Sequence, residues 1–236
     1  VLSAVALASN AGNIPDPLRI ATEGAYPPFN GVDANGKLIG FDVDIAMALC
    51  KEMKANCELV AQDWDGIIPA LVANKYDAII ASMSITDERK KTIDFTNKYY
   101  SNYLAIIGEK GKIAGTNDLA GKVVGAQRST LASQWAEDNL MGKADVKLYD
   151  TQTAAYADLS AGRLEAMVSD IYPAMDWLKD NSGYQLSGDA IDINDQIGIG
   201  IRQGESDLKA AFNKAIDAIR KNGTYAKINA KYFSAD

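Results

Sequence analysis

The stretch Ala78-Ile79-Ile80-Ala81-Ser82-Met83-Ser84-Ile85-Thr86-Asp87-Glu88-Arg89 decides the fold. Its first four residues are small or branched and apolar, as in a strand covered on both faces, and such strands build parallel sheets layered with helices. A parallel sheet offers its site at the carboxyl ends of its strands. Ser82, Met83, Ser84, Thr86 and Arg89 therefore emerge where a ligand would be met. The guanidinium of Arg89 can grip a carboxylate with two parallel charge-assisted hydrogen bonds, while hydroxyls and N–H groups fill the remaining lone pairs. An arginine after Asp87-Glu88 is more often a plain solvated surface residue, so its neighbours have to decide.

Upstream, Leu18-Arg19-Ile20-Ala21-Thr22 reads as a first strand that delivers Glu23-Gly24-Ala25-Tyr26-Pro27-Pro28-Phe29 to a loop stiffened by two prolines. Asn35-Gly36 marks a hairpin turn, Ile45 to Met53 has helical spacing, and Cys57 to Val60 is the next strand. Trp64 follows that strand in a loop, where its flat face covers either a ligand or a core, and Pro69 opens a short helix through Ala73. Downstream, a strand through Tyr99 to Ile107 leaves this unit, and the order of elements begins again at Lys122 to Ala126. Gln127-Arg128-Ser129-Thr130 opens a helix whose free N–H groups and basic side chain suit an anion. Met167-Val168-Ser169-Asp170 ends a second buried strand on a carboxylate. Ile191 to Ile201 leads back, and an amphipathic helix over Leu208 to Arg220 precedes a short one from Tyr225 to Phe233.

The pattern predicts an α/β chain of two lobes, each an α/β sandwich, joined by two hinge strands. Residues 18–100 with 196–236 form lobe 1, residues 101–195 form lobe 2, and residues 1–17 are a leader. Closure about the hinge brings Asp170 opposite Arg89, and an α-amino acid needs just such a carboxylate for its ammonium and a guanidinium for its carboxylate. Glu23 is then the spare anion for a cationic side-chain end, with Tyr26 and Trp64 to cover its body.

At 236 residues the chain can bury a sizeable core. Its net charge of −7 argues against nucleic acid or an anionic membrane as partner. It contains no histidine, which excludes imidazole zinc sites and Ser-His triads, and neither a metal nor a cofactor is expected. The only cysteines, Cys50 and Cys57, are too few for a zinc site and too far apart for a thioredoxin motif. They are either a disulfide clipping a helix to the next strand, worth roughly 2 to 3 kcal/mol, or two buried thiols. Val1 to Ala8 reads as the end of a signal-peptide apolar region, with Ala6-Leu7-Ala8 as a small-x-small cleavage pattern, or as an ordinary N-terminal segment. No run of the chain is long and apolar enough to span a membrane.

Several segments taken in order resemble the periplasmic solute-binding proteins of ABC importers for polar amino acids, above all the lysine, arginine, ornithine and histidine branch and its opine-binding relatives. They are Ile39-Gly40-Phe41-Asp42-Val43-Asp44, Asp77-Ala78-Ile79-Ile80 with Ser84 to Arg89, Ala161 to Ala166, and Lys221 to Tyr225. The resemblance covers about Leu18 to Phe233 and implies the type II two-lobe periplasmic-binding fold, a monomer in the periplasm and an inner-membrane permease as partner. It implies that Arg89, helped by the backbone of Ser84 and Thr130, holds the α-carboxylate. Asp170 and the Ser82 carbonyl take the α-ammonium, and Glu23 faces a basic side chain between Tyr26 and Trp64. The pair Cys50–Cys57 matches the disulfide of that branch. Trp64 stands where phenylalanine is common, Ala81 where a serine can touch the side-chain end, and Arg128 and Leu131 where several relatives have glycine and glutamine. Arg128, beside Ser129, can pair with the ligand, with Glu23 or with solvent, so the resemblance leaves both free arginine and an arginine-derived opine open. A dehydratase-like enzyme and a receptor's sensor domain are the other functions this scaffold permits.

Overall fold

The computed structural model describes residues 13–233, and the apolar start from Val1 to Ala8 lies outside them, together with its signal-peptide reading. Strand β1 (Leu18–Thr22) leads to a small hairpin, β2 (Gly31–Val32) and β3 (Leu38–Ile39), and then to helix α1 (Phe41–Met53). Next come β4 (Cys57–Ala61), α2 (Trp64–Val72), β5 (Ala78–Ile79), α3 (Asp87–Lys90) and the long β6 (Ile93–Glu109). The second half runs β7 (Val123–Gln127), α4 (Leu131–Leu140), β8 (Asp145–Tyr149), α5 (Gln152–Ser160), β9 (Ala166–Asp170), α6 (Ile171–Asp180) and β10 (Tyr184–Leu186). It ends with β11 (Ile191–Arg202), α7 (Ser206–Lys221) and α8 (Thr224–Tyr232).

One sheet carries the strands in the order β4-β1-β5-β11-β6-β9-β7-β8, with β10 against β6. Strand β1 pairs in parallel with β4 and β5, and β7 pairs in parallel with β8 and β9. Between these two parallel groups, β6 and β11 run antiparallel, with shifts of register along their pairing. Strand β6 is 17 residues long, about three times the usual length, because it serves β11 with one end and β9 with the other. The two lobes are thus joined through β6 and β11.

Apolar side chains of each lobe divide between the two faces of the sheet, as a period of two requires. In the first lobe Ile20 packs with Leu49, Phe212 and Ile216, while Ala21 packs on the other face with Ile67, Leu71 and Ile79. In the second, Val168 joins Leu104, Val124 and Ala136, whereas Met167 joins Ile107, Leu159 and Leu164. Coverage on both faces explains why these strands read as continuous apolar runs.

The disulfide forms between Cys50 at the end of α1 and Cys57 at the start of β4, with Cα atoms 6.3 Å apart, and the described chain has no free thiol. Other expectations change. Helix α1 starts at Phe41 rather than Ile45, after Gly40 with φ 128°, where a Cβ would stand 2.3 Å from the Phe29 carbonyl oxygen. Helix α2 starts at Trp64, so the tryptophan is a first-turn helical residue and Pro69 lies inside the helix instead of opening it. The sheet contains only Ala78 and Ile79 of the quoted apolar run. By Ser82 the backbone has turned to φ 53°.

Candidate functional site

Every chemically useful side chain of the cleft leaves the carboxyl end of a parallel strand or the element just beyond it, as the sheet geometry demands. Strand β1 supplies Glu23 and Tyr26, β4 supplies Trp64, and β5 supplies Ser82, Ser84 and, through α3, Arg89. From the second lobe, β7 supplies Gln127 with Thr130 and Leu131 at the start of α4, and β9 supplies Asp170. With Ala81 these residues line one small, tight space between the lobes.

Arg89 is aimed from both ends. Thr86 caps α3 by accepting the Arg89 backbone N–H at 3.1 Å. The guanidinium donates to the Ser84 carbonyl at 2.7 Å and to the Ser129 carbonyl, across the cleft, at 2.9 Å, and it lies over the Trp64 ring at 5.4 Å. Burial lowers its pKa to about 10, with Asp195 and Asp170 resisting, so the group stays cationic at neutral pH.

Asp170 accepts a short hydrogen bond from the Tyr26 hydroxyl. Burial and then the nearby Asp195 carboxylate push the Asp170 pKa up to about 6, against the pull of Tyr26, Asn102 and Arg89. Glu23 is 8% exposed and accepts the Gln127 side-chain amide at 2.8 Å. Burial raises its pKa to about 7, the Gln127 hydrogen bond opposing and Asp63 and Asp65 adding to the rise. The cleft therefore holds one guanidinium and two carboxyl groups whose charged forms a nearby cation would favour.

Behind Ser82 lies a buried polar cluster. Asp42, fully buried, accepts from Ser82 Oγ at 2.8 Å, from Tyr99 at 2.7 Å and from Asn30 at 2.9 Å, and Tyr99 in turn accepts the Ser82 N–H at 3.1 Å. Three donors hold Ser82 in its left-handed conformation through one carboxylate, a satisfied network of the kind that fixes geometry. Burial still raises Asp42 to about 6.

Of the residues singled out from sequence, Glu23, Tyr26, Trp64, Ser82, Ser84, Arg89, Thr130 and Asp170 line the same space. Met83 is buried in the core beside Trp64 and Ile67. Arg128 and Ser129 stand at the rim, where Arg128 pairs with Asp150 and, at 3.6 Å, with Asp65. Gln127, read from sequence only as part of a helix opening, instead ends β7 and lines the cavity, the same position at a strand end that Ser82 and Asp170 hold. Asn102 and Asp195 escaped notice: they pair at 2.8 Å on the two hinge strands, buried near Arg89 and Asp170.

Residues 18–235 match the model of the bacterial extracellular solute-binding proteins, family 3. The L-arginine-binding protein of Pseudomonas aeruginosa is 46% identical over 232 residues, covering 93% of this chain and 89% of that protein. The lysine/arginine/ornithine-binding periplasmic protein of Escherichia coli K12 is 39% identical over 236 residues, with coverage of 96% and 91%. Among solved structures, an ancestral arginine-binding protein bound to arginine superposes with a TM-score of 0.89 at 38% identity, over 94% of this chain and 100% of that one. Two α/β lobes, a cleft at the carboxyl ends of their strands and a match over nearly the whole length lead to one conclusion: the chain belongs to the bacterial extracellular solute-binding proteins, family 3.

Proposed function

We propose that this protein binds a cationic L-amino acid in its closing cleft, arginine first and then lysine, ornithine or histidine, and delivers it to an ABC importer from the periplasm. The observation that carries the reading is the charge pattern of a single small space: Arg89 for a carboxylate, Asp170 for an ammonium and Glu23 for a second cation, between the rings of Tyr26 and Trp64. A neutral amino acid would leave Glu23 buried without a cation, and an acidic one would meet it as a like charge. The arginine-binding and lysine/arginine/ornithine-binding relatives support the same class of ligand.

In this reading the ligand returns unchanged, and residues 18–100 with 196–236 and residues 101–195 close on it as two lobes. Arg89 takes the carboxylate near Ser84 and Thr130. Asp170 and Ser82 take the ammonium. The pairing of Arg128 with Asp65 and Asp150 lends no support to an opine's extra carboxylate. Calorimetric titration of the ligand-stripped protein with arginine, lysine, ornithine, histidine, glutamine and glutamate tests the proposal. Strong binding confined to the basic set is the expected outcome; preference for glutamine or glutamate overturns it.

A further inference from the structure

Beside the cavity, the two lobes touch through protein atoms alone. Trp64, the first residue of α2, donates its indole N–H to the Ser129 carbonyl at 3.2 Å. The next residue, Asp65, accepts the Ser129 hydroxyl at 3.3 Å and faces the Arg128 guanidinium at 3.6 Å. Two consecutive residues at a helix start in one lobe thus engage two consecutive residues of the β7–α4 turn in the other. Ser129 sits at φ 61°, a left-handed conformation that costs a serine stability and is kept only where the surroundings impose it. Its carbonyl collects a second donor from Arg89.

We propose that Asp65, Arg128, the Ser129 carbonyl and the indole N–H of Trp64 form an interlobe latch that sets how firmly the cleft closes, and with it the affinity; Asp65 and Arg128 are positioning residues that do not choose among ligands. The proposal rests on the closing-cleft reading above. Arg128 has no place in the cavity lining, and among the described residues it reaches the opposite lobe through Asp65. Arg89 couples latch to ligand, because two of its nitrogens hold the Ser84 and Ser129 carbonyls while its other N–H groups are left for a carboxylate. A carboxylate that orders this guanidinium also orders its contact with the opposite lobe.

The Arg128–Asp65 pair is nearly half exposed on both sides, so salt weakens it. Calorimetry and stopped-flow dissociation with arginine, lysine and ornithine test the latch in the wild type, Arg128→Ala, Asp65→Asn, their double variant and Trp64→Phe. Arg128→Ala and Asp65→Asn alter exposed side chains and leave the fold intact. Each is expected to weaken all three ligands by one common factor, about two- to fivefold, mainly through faster release. The double variant is expected to lose no more than the larger single loss, and both singles lose the wild type's salt dependence. Trp64→Phe keeps the ring, loses the donor and is expected to cost about two- to tenfold.

X-ray scattering from the ligand-stripped proteins is expected to show a larger radius of gyration in every variant than in the wild type. Unchanged affinity, identical scattering, or a new order among the three ligands in Arg128→Ala or Asp65→Asn overturns the latch, the last by placing that pair against the ligand. Scattering uses no ligand, so if none of the three amino acids binds, the ligand reading fails while the latch is still judged on its own.

Discussion

Arg89 keeps its charge because a pKa of about 10 is still far above neutrality, even after burial has lowered it. Arg89→Ala leaves a ligand carboxylate buried without its partner, so the expected loss is at least about a hundredfold for every amino acid that binds. Arg89→Lys is expected to fall nearly as far, since an ammonium cannot hold the Ser84 and Ser129 carbonyls and a carboxylate in one plane. Titration calorimetry of both variants reads this directly. Glu23 behaves in the opposite sense: burial raises its pKa to about 7, so a cationic side chain binds best once the proton has left. Arginine affinity is therefore expected to rise with pH between about 6 and 8, with a limiting slope of about tenfold per unit on the acid side. Glu23→Gln is expected to flatten that profile and to hurt cationic ligands more than neutral ones. Equal losses for both would take Glu23 out of selectivity.

Among the elements, α3 is only four residues long, and its cap decides where Arg89 points. Thr86→Ala removes that cap, worth about 1 kcal/mol. The expected result is weaker binding of all ligands with little change in melting temperature, because α3 contributes no apolar side chain to the core of its lobe. At the α1–β4 corner the disulfide closes a loop with a sequence separation of 7. Replacing Cys50 and Cys57 by serine is expected to remove about 2–3 kcal/mol from unfolding in urea. Affinity should hold, because neither cysteine touches the cavity. Helix α2 shows how one boundary changes a role: beginning at Trp64 instead of Pro69, it puts the indole N–H within reach of the second lobe. Asp63 at the cap and Asp65 in the first turn favour that start, since carboxylates suit a helix N-terminus, while burial of Ile67, Ala70 and Leu71 offsets the hydrogen bond that Pro69 forfeits inside the helix.

For the molecule as a whole, the buried carboxyls of the cleft and its support set the pH dependence of stability. Glu23, Asp42 and Asp170 have folded pKa values above their ordinary ones, so the folded state holds protons that the unfolded state releases. Stability is then lost as pH rises from about 4 through about 7. Asp77 acts oppositely. Burial pushes it up, but Arg19 and Arg202 outweigh this, so its contribution is present above the ordinary carboxylate range and is lost on acidification. The ligand-free protein is expected to melt highest near about pH 5 and lower at 8. Saturating arginine should narrow that difference by giving Glu23 and Asp170 a cation. A melting temperature that climbs steadily from 5 to 8 without ligand would contradict this account. Sequence alone determined the α/β character, the return of the element order and most polar residues at strand ends, because these follow from contacts within a few residues and from an apolar period that needs no partner to be read; it left Cys50 and Cys57 open between a disulfide and two thiols, which the approach of α1 to β4 settles. Tertiary structure decided the rest. The three-residue strand β10 exists only because β6 offers an edge, and Gln127 matters because β7 ends opposite Glu23, 104 residues away. Tyr26 finds Asp170 across 144 residues, and Arg128 pairs with Asp65 in the other lobe and with Asp150 in its own. Such pairings depend on how β6 and β11 carry one half of the sheet against the other, and no local pattern encodes the distance between side chains so far apart in sequence.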